Sequence, residues 1–120
     1  MSMTTPATSA ETSSRPFPLF SPGQIVATPG ALALLDQHGI SPETLLHRHL
    51  SADWGSVCSD DATLNDAALE DGSRILSCYE IAPGVNVWVI TDAETDISED
   101  GRILAKPTRL CTTILCPEDY

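Results

Sequence analysis

The chain has 120 residues, enough for one domain and too few for two ordinary ones. Hydrophobic residues make up 42% and aromatics only 5%, so a real core is expected, built mainly of Leu, Ile, Val and Ala. The formal net charge is −11, from 17 acidic and 6 basic residues. This argues against contact with nucleic acid or anionic lipid through clustered Lys and Arg, and favours a basic partner or plain solubility.

Residues 1–15 read as a disordered polar tail, and 16–120 as a single domain. The tail is Ser/Thr-rich and lacks the basic start and apolar stretch of a secretory signal. No apolar run reaches the roughly 20 residues of a membrane span. The expected location is therefore cytoplasmic, where the four cysteines would be thiols. Their spacing contains no Cys-x-x-Cys, and Cys111 and Cys116 fall on opposite faces of one strand.

Pro16 and Pro18 force an extended entry, with Phe17, Leu19 and Phe20 as anchors on the body. Gln24–Ala27 is a short extended piece or strand. Thr28 then caps a helix with Pro29 in its first turn, Leu32, Leu34 and Leu35 on its buried face, and Gly39 at its close. Ser41 and Pro42 repeat the start signal for a helix ending near Leu50, with Leu45, Leu46, His49 and Leu50 inward. Glu43 and His47, four apart on it, are placed to pair. His47 and His49, two apart, point in different directions and cannot share a metal. A third helix is expected over about Asp60–Glu70, with Leu64 and Ala68 inward.

Three alternating segments follow: Arg74–Ile81, Val85–Asp92 and Leu110–Cys116. The first two, joined by Ala82-Pro83-Gly84, form a hairpin, and the third returns antiparallel. Residues 93–106 read as a long polar loop. The fold class is α+β: a small antiparallel sheet of three to four strands with about three helices packed on one face.

The acidic loop begins like a calcium site, with Asp92, Glu94 and Asp96 at alternate positions and Asp100 at the ninth. Ile97 occupies the position of the turn glycine, and Ile103 that of the closing glutamate, so no metal is expected. The densest polar patch beside an aromatic is Trp54, Asp60, Asp61 and Asn65. Trp54 is expected to plug the junction between helices with its indole N–H on backbone. Cys58 lies among acidic neighbours, which disfavour a second negative charge on a thiolate, so a nucleophilic role is not expected of it. No phosphate loop, dinucleotide fingerprint or nucleophile elbow occurs, and neither catalytic residues nor a cofactor are assigned.

The segments Gly23–Ala31, Asp53-Trp54-Gly55, Val87–Thr91 and Thr112–Tyr120 resemble a family of small proteins carried by plasmids and integrative elements of proteobacteria. Members bear labels such as plasmid-related protein or restriction-system methylase subunit. The second label implies a much longer cofactor-binding domain with a Gly-rich loop and an Asn/Asp-Pro-Pro motif, which this chain lacks. The chain also departs from the family in a longer 93–106 loop.

The resulting expectation is a non-enzymatic accessory protein of a mobile element that acts by protein contact. Its acids would oppose a basic, DNA-handling host protein as a DNA mimic does, with Asp60, Asp61, Asp92, Glu94, Asp96, Glu99 and Asp100 as the contact set. A second reading is a small ligand-binding domain or enzyme using Trp54, Asp60, Asp61 and Asn65. A third is a homodimer paired through an exposed sheet edge.

Overall fold

The computed structural model of the protein describes residues 17–97 and 101–120, at 105 and 106 for the backbone alone. The expected 1–15 tail, Glu99 and Asp100 lie outside the described residues.

The described elements, in chain order, are β1 (Gln24–Ala27), α1 (Pro29–Gln37), α2 (Pro42–Leu50), α3 (Ser59–Asp71), β2 (Ile75–Ala82), β3 (Val85–Thr91), β4 (Thr95–Ile97), β5 (Ile103–Thr108) and β6 (Cys111–Leu115). A 3-10 turn, Pro117–Asp119, follows. The fold is α+β.

Helix starts follow the local chemistry. The Thr28 hydroxyl accepts the N–H of Ala31 at 3.2 Å and donates to the Asp119 carboxylate at 2.7 Å. This ties the C-terminal turn to the start of α1. Ser41 caps α2 by accepting the N–H of Glu43 at 3.3 Å. Glu43 turns its own carboxylate back onto the Ser41 hydroxyl, so the expected pair with His47 does not form. His47 instead stacks on Phe17, with ring centroids 4.6 Å apart.

The main sheet has the order β1-β6-β3-β2. The β2–β3 hairpin is antiparallel with Cys78 opposite Trp88, and β3 pairs antiparallel with β6, Val89 opposite Ile114. The expected antiparallel sheet is therefore right for these three strands. β1 corrects it, because it joins β6 in parallel, Ile25 opposite Thr112. A parallel neighbour needs a crossover, and here every other described strand and helix lies between the two.

One face of the sheet buries Ile75, Ser77, Tyr79, Val87, Val89, Thr91, Thr112 and Ile114. Ala31 and Leu35 of α1 and Leu45 of α2 pack on Tyr79, Val87, Val89 and Ile114. Ala68 of α3 joins Trp54 and Ile75 in a second cluster that also holds Phe20. All three helices thus lie over this face. The entry segment docks as expected, with the Leu19 N–H on the Leu50 carbonyl at 3.0 Å.

Three further expectations fail. Leu32 and Leu64 are 45% and 66% exposed, and α1 and α3 instead turn Ala31 and the pair Asn65 and Ala68 inward. The 93–106 stretch is not a plain loop, because β4 and β5 pair antiparallel, Thr95 opposite Thr108 and Ile97 opposite Ile103. With Pro107 in one strand and three residues in the other, this ribbon carries little of the alternation that marks a strand in sequence.

Candidate functional site

Asp60 and Asp61 stand exposed in the first turn of α3, where carboxylates favour the positive end of the helix dipole. The two other members of the expected ligand patch face inward. The Asn65 side chain is buried and serves the edge of β2: its amide donates to the Leu76 carbonyl at 2.8 Å and accepts the Leu76 N–H at 3.2 Å. It thus replaces a missing strand neighbour. Trp54 is only 6% exposed and fills the junction as expected. Its indole N–H, however, donates to the Asp66 carboxylate at 3.0 Å rather than to backbone. Of the four residues, Asp61 and Asn65 border one shallow groove of about 180 Å³, shared with Leu64, Arg74 and Leu76. No observation brings Trp54 or Asp60 into it.

The second acidic stretch meets the far end of α3. Asp92, Glu94 and Asp96 are exposed. The Glu94 N–H donates to the Gly72 carbonyl at 2.8 Å, and the Glu94 carboxylate lies over the Gly72 α-carbon, where a β-carbon would come within 2.7 Å of Oε1. Asp71 sits beside it, its carboxyl held below the ordinary range by hydrogen bonds from Ser73. Asp71 and Glu94 thus meet at Gly72, although more than twenty residues separate the two in sequence. α3 links this group to Asp60 and Asp61 about 16 Å away, at ~1.5 Å per residue. Asp66 and Glu70 lie between them on the same helix, which carries no basic residue.

Behind this surface lies Arg109, 3% exposed, which the sequence did not single out. Its guanidinium donates to the carbonyls of Ala68 (2.9 Å), Ser73 (2.7 Å) and Asp92 (3.0 Å) and lies over the Phe20 ring. Burial pulls its pKa down, and the Glu94 and Asp71 charges oppose that shift. The cation satisfies carbonyls at the end of α3 and locks the helix to the β3–β4 junction.

The side chains best suited to chemistry are engaged inside the fold. His49 is fully buried, with Nδ1 2.6 Å from the Ser77 hydroxyl and Nε2 2.8 Å from the Thr91 hydroxyl. Thr91 meets Thr112 at 2.7 Å, and Thr112 donates to the Pro22 carbonyl at 2.8 Å. Burial, aided by the nearby Arg109 charge, lowers the His49 pKa to about 3. A neutral imidazole with both nitrogens occupied and no surface exposed is a core brace. Its inward position on α2 was legible; its two hydroxyl partners, Ser77 on β2 and Thr91 on β3, were not. Tyr79 donates to the Asp53 carbonyl at 2.6 Å, and burial raises its pKa. Arg48 lies over the same ring and pairs with the Asp53 carboxylate at 2.7 Å. The Cys116 thiol is pushed up by burial and by the Asp119 and Glu118 charges. Among the described residues no three His, Cys, Asp or Glu side chains are grouped to hold a metal, and no helix is long and apolar enough to cross a membrane.

No family model, curated protein or solved structure matches the chain.

Proposed function

We propose that the protein is a non-enzymatic accessory factor of a mobile genetic element and works by protein contact. Its acidic surface would engage a basic, DNA-handling protein in the manner of a DNA mimic. The observation that supports this most is the meeting of the two acidic stretches at Gly72, where Glu94 joins Asp71 at the end of α3, a helix with no basic residue. Such a surface attracts a cationic partner over a distance set by ionic strength and rejects nucleic acid. The −11 charge and the resemblance to plasmid-borne proteins support the same reading. Inhibition of a nuclease or restriction complex that weakens steeply with salt, and is lost in Asp92→Lys/Glu94→Lys, is the expected result. Undiminished inhibition by that double variant, or none by the native protein at low salt, would refute it.

A small-ligand site is the second reading, supported by the groove between Asp61, Asn65 and Arg74. It requires ligand-induced thermal stabilisation that Asp61→Ala removes.

A further inference from the structure

From Pro16 to Leu35 no residue carries a charge, in a chain whose formal charge is −11. β1 lies in this stretch and forms one edge of the main sheet. Ile25 and Val26 are 41% and 38% exposed, and Leu32, one turn into the helix that follows, is 45% exposed.

The two edges of the sheet are treated differently. The β2 edge is closed: Asn65 serves Leu76, the Cys78 N–H donates to the Trp54 carbonyl at 3.1 Å, and the Ser56 N–H donates to the Cys78 carbonyl at 2.7 Å. Along β1, the N–H groups of Gln24 and Thr28 donate to Leu110 and Ile114 of the β6 side, each at 2.9 Å. Even-numbered residues therefore turn their peptide groups toward β6. Ile25 and Ala27 turn theirs to the outer edge, which no other described strand pairs. No charge, proline or bulge within Gln24–Ala27 guards that edge.

We propose that β1 pairs antiparallel with β1 of a second copy of this chain, about a two-fold axis at Val26, so that two four-stranded sheets become one. In that register Ile25 faces Ala27 of the second copy, and the two residues exchange both N–H to carbonyl bonds; symmetry repeats the exchange on the other side of the axis. The occupant is a second copy because a two-fold contact sets each surface against itself. On so acidic a chain a charged face repels its own image, whereas β1 brings no charge of its own to the contact, the Asp119 carboxylate sitting on the Thr28 hydroxyl just beyond its end. A basic partner is drawn to the acids instead. The two surfaces therefore respond to salt in opposite directions: salt screens the repulsion between like-charged copies and strengthens the dimer, while it weakens an acid–base contact.

The test is sedimentation equilibrium of the full chain over a concentration series at low and high salt, with far-ultraviolet circular dichroism to confirm folding. Native protein, Ile25→Pro, Val26→Lys and Leu64→Lys are compared. Ile25→Pro deletes a donor used only at the open edge, and Val26→Lys sets two cations together on the axis. The expected result is a dimer that tightens with salt, is weakened roughly tenfold or more by each β1 variant, and is unchanged by Leu64→Lys. If Ile25→Pro fails to fold, Val26→Lys decides the matter through a side chain that lies at the surface. A native monomer at every salt and concentration overturns the proposal and leaves the edge to a different chain. A dimer untouched by Val26→Lys, or one broken by Leu64→Lys, overturns it equally.

Discussion

The carbonyl of Gly72 accepts the N–H of Glu94 at 2.8 Å, and the Glu94 carboxylate folds over the glycine where a side chain would otherwise stand. This contact fastens the end of α3 to the segment between β3 and β4 and brings Glu94 of one acidic stretch beside Asp71 of the other. Gly72 has φ +80, the left-handed conformation that ends a helix most cheaply with glycine.

Gly72→Ala is expected to cost about 1–2 kcal/mol, chiefly in backbone strain, because the atoms a β-carbon would meet are the movable end of Glu94. Gly55→Ala is expected to cost more, about 3–5 kcal/mol. There φ is +75 and a β-carbon would lie 2.0 Å from the Cys78 carbonyl oxygen, which is backbone. Urea unfolding of both variants checks the order; equal costs would contradict it.

Asn65→Ala leaves the N–H and carbonyl of Leu76 without their side-chain partner, and a loss of about 2 kcal/mol follows. The same unfolding experiment reads it. A variant of native stability would remove the structural role assigned to Asn65.

Arg109→Lys keeps the charge but cannot span three carbonyls with one ammonium, so about 3 kcal/mol is expected to be lost. Hydrogen exchange would show the loss first at the end of α3 and at the β3–β4 junction. Uniform protection across the chain would argue against Arg109 as the tie between them.

His49 gives the fold a pH dependence. Its folded pKa of about 3 lies below the ordinary histidine value of 6.5, so the unfolded chain takes up a proton that the folded one refuses. The stabilisation is complete above about pH 6.5 and falls by up to about 1.4 kcal/mol per pH unit as the pH drops toward 3. His49→Gln, which keeps a hydrogen-bonding side chain, flattens this slope. Parallel stability–pH curves for the two proteins would show that His49 is not its source.

The parts legible in sequence are those fixed by neighbours along the chain. Thr28-Pro29 and Ser41-Pro42 mark helix starts because caps act within a turn, and the β2–β3 hairpin follows from alternation across a short connection. The exposure of Leu64 is not legible because the inward residue beside it on α3, Asn65, is polar and is buried to complete a strand edge. The parallel pairing of β1 with β6 joins residues 87 apart, Gln24 and Cys111, and nothing local announces it. The candidate surface was legible as two acidic stretches. Their meeting at Gly72 and the support of Arg109 depend on tertiary contacts.

The most direct test of the proposed function is an affinity pull-down from a bacterial lysate, read by mass spectrometry at low and high salt. Native protein is compared with Asp92→Lys/Glu94→Lys/Asp96→Lys. The native protein is expected to recover a basic, DNA-handling protein at low salt and lose it at high salt, and the variant to recover it at neither. Recovery of the same proteins by native and charge-reversed chains, or no such protein at low salt, would contradict the proposed function.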